Sequence, residues 1–132
     1  MIIAFGRYGQ TLQQMKRDVR VILNSLETVV NNPAERYILL GDIGSEVIHD
    51  FLSWNPFILE RCDLFYCITP HSFEGRKKAE NARKFIELLK ELHVKYVICD
   101  VEQKLKTISK HAGFKEFEKE IIKDFLKYIE EL

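Results

Sequence analysis

The 132-residue sequence lacks the features that define several large classes of protein. It contains no apolar run of 18 residues, and Arg7, Gln10 and Gln13 interrupt its N-terminal stretch, so we expect neither a membrane span nor a signal peptide. Twenty Lys and Arg residues balance twenty Asp and Glu residues, so no net charge draws the chain to nucleic acid or to a membrane surface. Repeats and low-complexity linkers are also missing, and we expect one domain over residues 1–132.

Cysteine is scarce, and its pattern is not that of a metal site. Cys62, Cys67 and Cys99 lie in apolar runs, are odd in number and lack CxxC spacing. We therefore expect free, buried thiols in a reducing, cytoplasmic compartment. The four histidines show no HExxH or similar spacing, so no metal is expected.

The most informative stretch that is present runs from Ile68 to Leu92. An apolar strand ends there, a short loop with Gly75 follows, and apolar residues then recur three or four positions apart, as in an amphipathic helix. A second apolar run, Val94 to Val101, comes after the helix. We predict that the strands Leu59–Thr69 and Val94–Val101 are parallel or nearly parallel neighbours joined by the helix Arg76–Leu92, with the second strand buried within the sheet.

The predicted helix begins with three cations, Arg76, Lys77 and Lys78. A helix N-terminus carries a partial positive charge, so each cation there costs about 0.3 to 1 kcal/mol at low salt. A bound anion reverses that cost, and a strand–loop–helix start is a common phosphate site. The alternative interpretation is a solvated basic turn without a ligand.

The rest of the chain gives weaker patterns. Its predicted elements are a possible edge strand (Met1–Gly6), a helix (Thr11–Val29), an antiparallel meander of three strands (Arg36–Ile43, Glu46–Trp54 and Leu59–Thr69), and a short helix (Glu102–Ala112). The tail, Lys115 to Leu132, has apolar residues at helical spacing, although a pair of strands is also possible.

Two segments carry a resemblance to a known family. FEGRKKAENARKFIELL is similar to the phosphate loop and following helix of the GNAT superfamily of acyl-CoA N-acyltransferases, and KLKTISKHAGFKEF resembles the family's last helix and its Gly-Phe ending. The resemblance implies a mixed α/β fold with a mostly antiparallel sheet and flanking helices, and it implies two strands in the tail, which we adopt. It also implies acetyl-CoA as co-substrate, with its pyrophosphate on the loop amides and its pantetheine arm along the preceding strand. Glu74, Lys77 and Ile108 differ from the residues usual in the family.

The resemblance also implies the site. The cofactor-binding residues are Cys67, Ile68 and Thr69 on the strand, and Gly75, Arg76, Lys77, Lys78 and Ala79 on the loop and helix start. Asp63 and His71 are the candidates to accept the proton of the amine, although both residue types are also common on solvated surfaces. The predicted function is acetyl transfer to the amine of a small molecule or a protein. The alternative is a catalytically inactive structural or interaction protein of the same fold. A homodimer is possible, and neither nucleic acid nor membrane is an expected partner.

Overall fold

Five apolar runs form the strands of one sheet in the computed structural model, which describes residues 1–108 and 113–132. The strands are β1 (Ile2–Phe5), β2 (Val19–Ile22), β3 (Tyr37–Asp42), β4 (Cys62–Ile68) and β5 (Tyr96–Cys99). Their order across the sheet is β2-β1-β3-β4-β5, and every neighbouring pair is parallel. The predicted mostly antiparallel sheet of GNAT type is therefore wrong.

Helices cover both faces of the sheet. They are α1 (Gly6–Met15), α2 (Glu46–Trp54), α3 (Phe57–Glu60), α4 (Arg76–Glu91), α5 (Val101–Thr107) and α6 (Phe114–Glu130), with a 3₁₀ turn at Ser72–Glu74. Neighbouring strand residues point to opposite layers: Leu39 packs in the core beneath α2 and α4, and Leu40 packs in the core beneath α1 and α6. Burial on both faces explains why β3 and β4 are almost continuously apolar instead of alternating.

The predicted meander fails at its middle strand, because Glu46–Trp54 is the helix α2. Ser45 caps this helix, since its side-chain oxygen accepts a hydrogen bond from the Val47 N–H at 3.2 Å. Phe51 and Leu52 lie three and four residues after Ile48, and all three are buried. The imperfect alternation of apolar and polar residues in this segment therefore reflects a helix that is buried on one side.

The predicted helix Thr11–Val29 is also wrong over most of its length. The helix α1 spans Gly6–Met15, and the β-branched residues that follow form β2, which pairs with β1. This pairing places β1 inside the sheet and not at its edge. Residues 23–36 then cross over β1 to β3 without forming a helix or strand.

The unit β4-α4-β5 is confirmed, since α4 joins two neighbouring parallel strands. However, β5 lies at the edge of the sheet, where Ile98 is 41% exposed, and is not interior as predicted. The tail is the helix α6, so the two predicted strands are wrong and the local helical spacing was right. The expected helix Glu102–Ala112 corresponds to α5, although residues 109–112 lie outside the described part of the chain. No helix in the described ranges is long and apolar enough to span a bilayer.

Candidate functional site: a cleft at the carboxyl ends of the strands

A large cavity lies where the five strands end. Its volume is about 630 Å³, and a residue at or just after each strand's carboxyl end lines it: Phe5, Leu23, Asp42, Thr69 and Val101. The chain leaves β1 toward β2 on one side and leaves β3 toward β4 on the other, so the strand order reverses between β1 and β3. In open parallel sheets, ligands bind in the crevice at such a reversal. We call this cavity the switch-point cleft.

The walls of the cleft are mainly apolar. The buried rings of Phe5 and Phe117 line it together with the half-exposed Leu105. Two further lining rings are strongly exposed, Phe73 at 78% and Phe114 at 56%, which places them where the cleft meets solvent. A volume of this size, with apolar walls and a few polar groups, is typical of a small-molecule site.

One polar wall is a network of three charged side chains. The Lys78 ammonium lies 3.4 Å from Asp42 Oδ2 and 3.0 Å from Glu74 Oε1. Asp42 also accepts a hydrogen bond from the Gly44 N–H at 2.9 Å, and only 22% of its side chain is exposed. Burial raises the pKa of the Asp42 carboxyl above its usual value, and the neighbouring Lys78 and the Gly44 N–H offset part of that rise.

The cationic start of α4 is held by carboxylates of the chain itself. Besides the Lys78 contacts, Lys77 forms a 2.7 Å ion pair with Glu46, and Asn81 donates a hydrogen bond to the Gly44 carbonyl at 3.2 Å. A Cβ atom at Gly44 would lie 2.9 Å from the Lys78 carbonyl oxygen, so this close approach requires glycine. These contacts offset the cost of Lys77 and Lys78 at the helix start. From the sequence we expected a bound anion to supply that compensation, whereas carboxylates of the chain supply it here.

The opposite wall contains a second charged pair. Glu118 of α6 is only 4% exposed, lies 3.3 Å from the Arg7 Nε and accepts a 3.3 Å hydrogen bond from the Thr11 hydroxyl. The Arg7 guanidinium also lies over the Phe114 ring, 4.6 Å from its centroid. Tyr8 lines the cleft nearby, and burial raises the pKa of its phenol, so its hydroxyl stays protonated.

The start of α1 is the natural place for a phosphate in this fold, but it lacks the usual cradle. A nucleotide-binding P-loop has four residues between two glycines, followed by Lys and then Ser or Thr. Here only two residues separate Gly6 and Gly9, and Gln10 occupies the lysine position before Thr11. Because α1 begins at Gly6, these residues already belong to the helix and leave no loop around a phosphate.

The two predicted catalytic residues lie at opposite ends of β4. Asp63 is near its amino end, half exposed, and pairs with Arg36 at 2.6 Å. His71 follows its carboxyl end and lines the cleft. The strand between them rises about 16 Å, so they cannot act on one substrate atom. In His71, Nδ1 accepts a 3.2 Å hydrogen bond from the Phe73 N–H, so the neutral ring carries its proton on Nε2.

The predicted cofactor residues divide into three groups. Cys67 and Ile68 are buried, and β4 is paired with β3 and β5 along this part, so no strand edge is open for a pantetheine arm. Thr69 and Lys78 line the cleft. The others belong to the exposed start of α4, where Gly75 adopts φ +104°, a backbone conformation that favours glycine; they are Gly75, Arg76, Lys77 and Ala79.

Several lining residues were missed from the sequence, above all Tyr8, Asp42, Phe114 and Glu118. The sequence did mark Asp42, which lies next to the end of the predicted strand Arg36–Ile43 and just before Gly44. That signal indicates a site only when the neighbouring strands are known to be parallel. Glu118 and Phe114 had no local signal, since the fold of α6 onto α1 brings them to the cleft.

Comparison with known proteins assigns the chain to no group. No family model matches the sequence, and no curated protein is significantly similar to it. The cleft itself is therefore the basis for proposing a function.

Proposed function

We propose that the protein is a small-molecule-binding domain whose ligand occupies the switch-point cleft. The observation that carries the proposal is the position of a cavity of about 630 Å³ at the reversal between β1 and β3, where parallel sheets bind their ligands. The ligand is a compact molecule with a mainly apolar body, because the walls around it are mainly apolar.

The charges of the cleft disfavour a polyphosphate. Among the residues that the structure describes, three carboxylates line it, those of Asp42, Glu74 and Glu118, against the two permanent cations Arg7 and Lys78. A triphosphate would add several negative charges to a region whose described side chains already carry one net negative charge. The missing P-loop lysine and the helical start at Gly6 remove the groups that usually compensate such a ligand.

Acetyl transfer from acetyl-CoA stays a prediction, as does the alternative of an inactive interaction protein. Both assumed a GNAT-type fold with a mostly antiparallel sheet, whereas the sheet in the described part of the chain is parallel throughout. Because acetyl transfer is still a prediction, acetyl-CoA is included in the ligand test, as a phosphate-containing competitor of the compounds proposed here.

The proposal is tested by NMR titration of the ¹⁵N-labelled protein. The panel combines uncharged and singly charged ring compounds with a nucleoside triphosphate and acetyl-CoA, the triphosphate both with and without Mg²⁺. We expect compounds without phosphate to shift the amide signals of Gly6 to Gly9 and of Asp42 to Val47, which flank the reversal. Tighter binding of acetyl-CoA or the triphosphate contradicts the proposed ligand class.

Two matched tryptophan variants locate the binding. Leu105 lines the cleft and is 42% exposed, whereas Leu88 lines a separate groove between α2 and α4 and is 40% exposed. Leu105→Trp fills the cleft and should abolish the shifts, and Leu88→Trp should leave them unchanged. Equal behaviour of the two variants, or no binding of any panel member to the unmodified protein, rules out the switch-point cleft as the ligand site.

A further inference from the structure

Two cations of the chain already occupy positions in the cleft wall that recognise positive charge. The Lys78 ammonium lies between Asp42 and Glu74, and the Arg7 guanidinium lies on the face of Phe114. Carboxylates and aromatic faces are the two groups that proteins use most often to bind organic cations. The cleft therefore displays both kinds of recognition on an apolar background.

The carboxylate pair has acceptor capacity left over. A carboxylate has about four lone-pair positions for hydrogen bonds. Asp42 uses its oxygens for the Gly44 N–H and Lys78, and Glu74 uses its oxygens for the His71 N–H and Lys78. One ammonium thus serves two carboxylates, and its contact with Asp42 is long, at 3.4 Å. The arrangement can accept further N–H donors.

Within residues 1–108 and 113–132, the remaining charges of the cleft balance. Arg7 and Glu118 form a pair of their own, so the excess of one negative charge belongs to the group formed by Asp42, Glu74 and Lys78. Asp42 is mostly shielded from water, where an unbalanced charge costs more than at the surface. A ligand with one positive charge neutralises this group.

We infer that the ligand is a flat organic cation whose N–H groups bind Asp42 and Glu74 while its ring lies between the apolar walls of the cleft. This inference rests on the proposed function and specifies its ligand class. An amidine or guanidine group fits best, because its planar N–H donors match a carboxylate in pairs. Lys78 is then an internal competitor, since its ammonium occupies part of the same position.

The test compares benzamidine with benzamide, two compounds of nearly the same shape that differ in charge at neutral pH. We expect benzamidine to bind at least about tenfold more tightly, as a hydrogen bond between charged groups implies. Asp42→Asn keeps an oxygen for the Gly44 N–H but removes the charge, and it should abolish the preference. Asp63→Asn, at the other end of β4 on an exposed ion pair, is the matched control and should preserve it.

Lys78→Met provides an independent readout, because removing the competitor should strengthen benzamidine binding several-fold. Lys77→Met, which removes only the exposed pair with Glu46, should have no effect. Equal binding of benzamidine and benzamide, both blocked by Leu105→Trp, overturns the cationic ligand while leaving the cleft as the site. If neither benzamidine nor benzamide binds, the inference is also wrong. If compounds bind but Leu105→Trp affects none of them, the proposed function is wrong instead.

Discussion

The buried side chain of Asn55 provides hydrogen bonds to a crossover segment that has no helix or strand of its own. It is 3% exposed, its oxygen accepts a hydrogen bond from the Val29 N–H at 3.4 Å, and its amide donates to the carbonyls of Glu27 and Phe51. Residues 23–36 cross from β2 to β3 without helical hydrogen bonds, so their backbone groups need partners elsewhere. Asn55 supplies them from the end of α2.

Replacing Asn55 with Ala should destabilise the protein by about 1 to 3 kcal/mol, because the buried Val29 N–H loses its partner. Urea unfolding measures the change. Thr28→Ala, at an exposed position in the same crossover, is the control and should change stability by less than about 0.5 kcal/mol. Equal effects of the two substitutions would mean that Asn55 does not anchor the crossover.

The three cysteines are free, and the predicted burial is confirmed for Cys67 and Cys99, whereas Cys62 is only partly buried. Burial raises the pKa of Cys99 to about 11 and that of Cys62 to about 12, and it raises the pKa of Cys67 further. Because the thiolate is the reactive form, little of it exists at pH 8 in the folded protein. We expect all three thiols to react slowly with a disulfide reagent at pH 8 and rapidly in denaturant. A thiol that reacts in the folded protein as fast as free cysteine contradicts these shifted pKa values.

At the scale of elements, the start of α4 is a structural clamp. Its lysines reach carboxylates in three other segments: the end of β3, the start of α2 and the 3₁₀ turn. The sequence indicated the three cations and the helix correctly. It could not indicate Glu46 and Asp42 as partners of the lysines, because only the parallel pairing of β3 with β4 brings these carboxylates to the start of α4.

The clamp makes a prediction opposite to the one for a bare cationic helix start. Lys78→Ala should destabilise the ligand-free protein, by about 0.5 kcal/mol after allowance for solvent screening, instead of stabilising it. The loss should shrink in high salt, since part of it is an ion pair. Increased stability of Lys78→Ala in thermal unfolding at low salt contradicts the clamp.

Element type was predictable wherever one residue pattern dominated. Helical spacing in α4 and α6 and the apolar runs of β3 and β4 are plain in the sequence. The error at α2 came from a segment whose buried face is short. The error at β2 came from a strand of only four residues that begins shortly after helix α1 ends. In both cases pairing and packing with distant residues decided the outcome, which no local window contains.

At the scale of the molecule, α6 completes the second layer of the core. Phe125 is fully buried, and its ring packs edge-on against Tyr66 of β4 at 5.2 Å. The cleft also depends on this helix, because Phe117 and Glu118 line it from the first turns of α6. Sequence patterns did not reveal whether the strands run parallel or antiparallel. The location of the site depends on that direction, so it could not be predicted either.

Phe125→Ala should cost about 3 to 5 kcal/mol, as expected for a large cavity under α6. Phe73→Ala is the same substitution at a ring that is 78% exposed, and it should cost less than about 0.5 kcal/mol. Urea unfolding of the two variants tests whether α6 is an integral part of the core. A small loss for Phe125→Ala would show that it is a loosely attached element.

The late position of α6 also affects the growing chain on the ribosome. The strands emerge in an order that lets β3 join the free edge of β1, and β4 and β5 then each join the edge of the strand before. The layer that α6 covers, however, includes Ala4, Leu40, Tyr66 and Ile68, which are all synthesised earlier. Until α6 follows, α1 covers only part of this layer, and apolar surface that stays exposed promotes aggregation. A nascent chain that pauses before α6 is therefore a natural client for a chaperone.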